Sequence, residues 1–398
     1  MTDARFTTAV VAAQVLVQIG AFTLPALLPS YMDRWSLSAT EAGWLVGAFF
    51  AAYVVAVPVL VALTDRLPAG RIYLIGAGAT ALSHLGFVVL ADGFWSALAF
   101  RVLGGIGWAG AYMPGLKVLA DRQEGAAQSR AVSWHAAGVG IAGAVSFAVA
   151  GAIDALAGPE AAFLFGGVAA VAAGAIGLAV MPGTAPRGTR SLAAALDFRP
   201  VFRNRAVMAW IAGYTAHTWE LGALRAWGVT FLAAAIALHG APAWLPGPNL
   251  LFTVAGLVGV AISVAGNETA QRLGRARMVA WAMGAGAVLS VAAGFSLLVS
   301  APLAALCVLV WNAAIYLDSA ALTAGTVAAA ERDRRGATMG LHSMCGYAGG
   351  FVGPVAVGMA LDLAGAEAVL GWVLGFGQIA LVTLAGLWAV RRLGRPAS

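Results

Sequence analysis

Residues 206–237 read AVMAWIAGYTAHTWELGALRAWGVTFLAAAIA. Roughly 20 apolar residues cross a bilayer as a helix, and this run is long enough to do so. Its central part, Gly213–Trp227, nevertheless holds His217, Glu220 and Arg225 within nine residues. An ionised side chain near the bilayer centre costs a few kcal/mol on insertion scales. Three such groups need each other, water or a polar cavity. The stretch therefore points to a chain built from membrane helices that enclose something polar.

The rest of the chain agrees. It has 398 residues, 61% hydrophobic and 10% charged, with a mean hydropathy of +0.87. A soluble globular protein must keep a wet exterior, and this composition leaves too little polar surface for one. The net charge of +6 does not point to nucleic acid. The basic residues sit in short clusters between apolar runs, as cytoplasmic loops do. Cys307 and Cys345 fall inside apolar runs and read as small packing residues, with no disulfide or metal spacing. The first apolar run has no clear cleavage site and reads as a retained span.

Apolar runs place spans at 7–29, 40–63, 72–91, 95–118, 130–153, 161–181, 206–237, 247–270, 278–299, 302–328, 338–361 and 368–390. Loops 64–71, 119–130, 182–205, 271–277 and 329–336, with the tail after 390, hold most of the arginines. The opposite loops hold Asp33, Glu41, Asp92, Asp154, Glu160, Asp362 and Glu367 against Arg34 alone. By the positive-inside rule both termini are expected in the cytoplasm, with the protein in the inner membrane.

The long loop 182–205 divides the chain into 1–181 and 206–398, which suggests a duplication. His135, Gly143, Gly151 and Asp154 in span five are spaced like His342, Gly350, Gly358 and Asp362 in span eleven. The loop TDRLPAGR after span two resembles TAQRLGRAR after span eight. The expected architecture is all-α: twelve membrane helices in two six-helix bundles, joined by a cytoplasmic linker at 182–205.

Here a family resemblance becomes plain. The loop Val61-Ala62-Leu63-Thr64-Asp65-Arg66-Leu67-Pro68-Ala69-Gly70-Arg71 resembles the signature loop of major facilitator superfamily transporters, roughly G-x-L-A-D-R-x-G-R. Leu63, Asp65, Arg66 and Arg71 match it. Val61 replaces the opening glycine, and the inner glycine is displaced. Arg101, Gly105 and Gly107 in span four are similar to the family's arginine-plus-glycine motif. Span five has no proline, unlike drug/proton antiporters, and Gly353-Pro354 appears in span eleven instead. The nearest subgroup is the small-anion, cyanate-permease-like branch. The resemblance implies alternating access between two bundles, a role for Arg101 in proton or substrate coupling, and a cytoplasmic latch formed by Asp65, Arg66 and Arg71 that favours the outward-open state.

Candidate chemistry follows from the buried polar residues. His217 and Glu220 are i,i+3 neighbours and can bond directly. Arg225 lies roughly 140° from Glu220 on a regular helix, and shares a face with Tyr214. In the functional reading, Glu220 binds a proton, His217 relays it and Arg225 holds an anionic group. In the structural reading, the three neutralise one another. Arg101 shares a stripe with Trp108. Asp318 in span ten lies beside Asn312 and Tyr316, and a buried Asp needs an Arg or His partner; Arg225 and Arg101 are candidates. Gln14 and Gln18, i,i+4 on span one, either face the same cavity or tie helices together. His135 and His342 suggest a structural or gating task, and His84 reads as packing.

There is no G-x-x-x-x-G-K-[ST] and no HExxH, so neither nucleotide-driven transport nor an intramembrane metalloprotease is expected. No cofactor or metal is expected, and nucleic acid is not a partner. The expectation is a monomeric secondary transporter in the lipid bilayer, moving a small organic anion with protons. The alternatives are efflux of neutral or cationic drugs, and a membrane sensor or assembly factor that kept the scaffold without transporting.

Overall fold

The computed structural model describes residues 2–183, 197–365 and 369–394. Most of the expected linker, 184–196 within 182–205, lies outside these, as do Glu367 and the end of the tail after 394. The described residues form helices and no strand. In chain order they are α1 (Asp3–Gln18), α2 (Thr23–Ala26), α3 (Leu28–Trp35), α4 (Ala39–Leu63), α5 (Ala69–Leu90), α6 (Phe94–Arg122), α7 (Gly125–Ala157) and α8 (Pro159–Val180). The second part comprises α9 (Arg199–Arg203), α10 (Arg205–His239), α11 (Pro248–Leu273), α12 (Arg275–Ser296), α13 (Ala301–Ala329), α14 (Arg335–Ala364) and α15 (Val369–Leu393).

Ten of these helices are long and apolar enough to cross a membrane: α4, α5, α7, α8 and α10 to α15. This is a multi-pass membrane protein. The two other expected spans fall on α6 and on the α1–α3 segment. Helix α6 is 29 residues long but interrupts its apolar run with Arg101 and several glycines. The expected span 7–29 is not one helix. It ends at Gln18, turns through Ile19–Phe22, and resumes as two short helices. Gly20 is a poor helix former, and Pro25 and Pro29 lack the N–H that would carry a continuous ladder.

Contacts divide the described chain into two compact units. One comprises Met1–Leu27 with Ala51–Leu196, the other Leu28–Phe50 with Asp197–Ser398. In the first, α5 packs on α6 and α8, and α1 on α8 and α7. Small residues set the spacing: a Cβ on Gly76 of α5 would fall 2.4 Å from the carbonyl carbon of Gly110 in α6. Without a hydrophobic drive between helices, such close backbone approach is a main source of cohesion.

In the second unit α10 packs on α14, α15 and α13, and α12 on α13 and α15. The first half of α4 belongs here too. A Cβ on Gly43 would fall 2.6 Å from the Pro354 carbonyl oxygen, and one on Gly358 would fall 2.2 Å from that of Ala39. The start of α4 is fully capped. Ser38 and Glu41 form a reciprocal pair: Ser38 N–H donates to Glu41 Oε2 at 2.9 Å, and Glu41 N–H to Ser38 Oγ at 3.1 Å. The next two amides, Ala39 and Thr40, donate to the two carboxylate oxygens of Asp362 from α14, each at 2.8 Å.

Candidate functional site

The second unit buries three ionisable side chains together. His217 and Glu220 come from α10, one turn apart, and Asp318 from α13; they are 2%, 3% and 2% exposed. His217 Nδ1 lies 2.8 Å from Asp318 Oδ1, off the line of a well-aligned hydrogen bond. This is a buried imidazole–carboxylate contact between two helices. One proton moving across it converts imidazolium–carboxylate to imidazole–carboxyl with no change of net charge. A second proton, or the loss of the first, changes the charge of the pair.

Glu220 has a different surrounding. Trp311 Nε1 of α13 donates to its Oε1, and Thr383 Oγ1 of α15 donates to Oε2 at 3.2 Å. Both donors are neutral. Room for the carboxylate comes from Gly286 on α12, where a Cβ would fall 2.6 Å from Oε1. Four helices thus converge on one carboxyl group.

Aromatic stacking extends the array. The Tyr214 ring stacks with two imidazoles, His342 at 3.8 Å and His217 at 5.6 Å between centroids. His342 is held by the hydroxyls of Thr323 and Thr326, at 3.3 Å from Nε2 and 3.1 Å from Nδ1. Half-buried Arg225 donates to the Tyr316 hydroxyl, with its guanidinium 5.8 Å from that ring. Asn312 donates to the Ala255 carbonyl at 2.8 Å, which ties α13 to α11.

The first unit holds the other candidates. Gln14, Gln18, Arg101 and Trp108 are all buried, between 0% and 8% exposed. His84 bridges backbone carbonyls: Nδ1 lies 3.0 Å from Thr80 O, and Nε2 lies 3.1 Å from Gly20 O. Asp65 is half-buried in the turn after α4, and Arg66 and Arg71 are exposed. Among the described residues Asp65 makes no ion pair.

The family model of the Major Facilitator Superfamily matches residues 10–354. The chain belongs to the major facilitator superfamily. The match identifies the superfamily and does not reach the cyanate-permease-like branch. Solved structures of the same fold include a variant of the nucleoside transporter NupG, with a TM-score of 0.79 at 13% identity, covering 98% of this chain and 100% of that one. A bacterial homologue of the human lysosomal transporter Spinster aligns with a TM-score of 0.73 at 15% identity, over 98% and 95%. The human organic anion transporter MFSD10 aligns at 0.70 and 18%, over 98% and 100%. No curated protein matches. Family and fold make this superfamily member a membrane transporter and not an enzyme.

Among the sequence candidates, the structure brings His217, Glu220 and Asp318 into one buried region and sets Tyr214 beside it. It pairs His217 with Asp318, where the sequence pointed first to Glu220 as the neighbour of His217. An i,i+3 spacing permits a contact but does not select it over a better-placed group on another helix. Trp311, Thr383 and Gly286 were missed. Each is an ordinary residue of an apolar helix, and only the packing of α12, α13 and α15 on α10 reveals its role.

Proposed function

We propose that this protein is a proton-coupled secondary transporter of a small organic solute. In this reading His217, Asp318 and Glu220 are the proton-binding groups. The observation that carries it is the pair of buried carboxyl groups: one faces an imidazole, the other only neutral donors. Ionisable groups inside membrane helices are costly, and a structural role alone would be served as well by apolar residues. Protonation of either carboxyl changes the charge of the site, which couples proton occupancy to conformational preference.

The solute is read as an anion. Arg225, held by Tyr316, is the group that would meet it, with Arg101 as a second cation among the membrane helices. Twelve spans in two related six-helix bundles, alternating access, a monomer, an inner-membrane location and cytoplasmic termini complete the proposal. Asp65, Arg66 and Arg71 form its cytoplasmic latch. Charge alternation between the loops and the spacing shared by spans five and eleven support it.

The test is reconstitution in liposomes. Glu220→Gln should abolish accumulation driven by an imposed pH gradient while solute exchange persists. Wild-type-like uphill accumulation by that variant removes Glu220 from the mechanism.

A further inference from the structure

The first unit contains a buried polar cluster that its own packing leaves without partners. Gln14 and Gln18 on α1 are 0% and 1% exposed, yet neither amide oxygen nor amide nitrogen of either residue has a hydrogen-bond partner among the described residues. The Tyr73 hydroxyl and His135 Nε2 are in the same condition, on side chains 0% and 1% exposed. Buried polar side chains are nearly always bonded.

Gln14 Oε1 and His135 Nε2 converge on one bare stretch of backbone, beside the Tyr73 ring. A Cβ added to Gly115 of α6 would lie 2.7 Å from Gln14 Oε1, 3.3 Å from a Tyr73 ring carbon and 3.4 Å from His135 Nε2. Gln18 follows Gln14 by one turn on the same face, about 5–6 Å away. Helix α1 ends at Gln18, and the chain turns through Ile19–Phe22.

The matching place in the second unit makes the contrast sharp. His135 and His342 share their spacing with later glycines and an aspartate, and each imidazole stacks on a tyrosine, Tyr112 at 5.8 Å and Tyr214 at 3.8 Å. His342 has both nitrogens engaged by threonine hydroxyls. His135 has its Nε2 open, beside Gln14 and Gly115. Burial and an aromatic neighbour are common to both; among the described residues the open ring nitrogen is at His135 and not at His342.

We propose that Gln14, Gln18, Tyr73 and His135 around Gly115 bind an uncharged planar group of the transported solute. That group presents a hydrogen-bond donor beside an acceptor, as a carboxamide or cyclic imide does. A glutamine amide offers Nε2–H and Oε1 side by side in one plane, which matches such an edge by two parallel bonds. None of the four side chains is a carboxylate, lysine or arginine, so with a neutral imidazole the cluster carries no charge and suits an uncharged group. The inference rests on the transporter reading but not on proton coupling, nor on the solute's being an anion.

Equilibrium binding to the purified full-length protein tests it, because binding needs no gradient and stands apart from uphill transport. The probes are radiolabelled uracil and nicotinamide, with glucose as a ligand that has hydroxyls only. Uracil or nicotinamide should bind saturably and glucose should not compete. Gly115→Ala, which adds one methyl group against Gln14, should weaken binding at least tenfold. Gln14→Leu should abolish it and raise the thermal midpoint of the empty protein, since it removes an unbonded amide. Absence of saturable binding overturns the proposal, as does unchanged affinity in both variants. Competition by glucose that depends on Gln14 overturns the planar-edge class. A lowered midpoint in Gln14→Leu without any probe binding marks the cluster as structural, bonded to ordered water only.

Discussion

At the scale of the residue, the contact between His217 and Asp318 is where chemistry and stability meet. Both side chains are buried, so removing one leaves the other unpaired in a region of low dielectric. Breaking a buried pair by removing one partner costs about 3–5 kcal/mol, while replacing both by apolar residues is often neutral or stabilising. His217→Leu and Asp318→Leu should therefore each lower the thermal midpoint of the purified protein. The double substitution should recover most of the loss and still fail to couple solute to protons. Additive losses in the double variant would mean that the two groups do not depend on each other. The residue scale also shows what the sequence could reveal. His217, Glu220 and Asp318 stood out because an ionisable group in an apolar run is conspicuous alone. Trp311, Thr383 and Gly286 were invisible because a tryptophan, a threonine and a glycine are ordinary in membrane helices. Their function lies in the distance to Glu220, which one-dimensional spacing does not carry.

At the scale of the element, the start of α4 depends on two sources of acceptors. Ser38 and Glu41 come from the same stretch of chain and form a local signature, whereas Asp362 arrives from α14, more than 300 residues later. A carboxylate at a helix N-terminus accepts from free amides and offsets the positive end of the dipole. Asp362→Ala should cost about 1 kcal/mol, and hydrogen exchange should quicken at Ala39 and Thr40 but not at the Glu41 amide, which Ser38 still holds. Uniform exchange across the first turn of α4 in wild type and variant would show that Asp362 contributes nothing there. Elements also explain why the expected first span departed from the structure. Apolar content alone made 7–29 one run. Gly20, Pro25 and Pro29 act on backbone hydrogen bonding, which hydropathy does not measure, so the chain stays apolar while the helix stops at Gln18.

At the scale of the molecule, alternating loop charge is the most regular feature of the sequence, and the proposed sidedness rests on many arginines acting together, so that no single replacement hides it. The ten apolar helices and the superfamily match bear out an all-helical, multi-pass membrane fold. Orientation makes a direct prediction. With Cys307 and Cys345 replaced by serine, a single cysteine at Arg66 belongs to a loop read as cytoplasmic, and one at Asp92 to a loop read as external. In intact cells a membrane-impermeant maleimide should label the Asp92→Cys protein and spare the Arg66→Cys protein; permeabilised cells should allow both. The reverse pattern would invert the transporter in the membrane. The sign of a proton-driven flux would not change with it, because a carrier of either sidedness moves solute as the imposed gradient and its stoichiometry dictate; what the labelling decides is which side of the membrane carries the Asp65–Arg66 loop, and so whether the proposed latch is cytoplasmic.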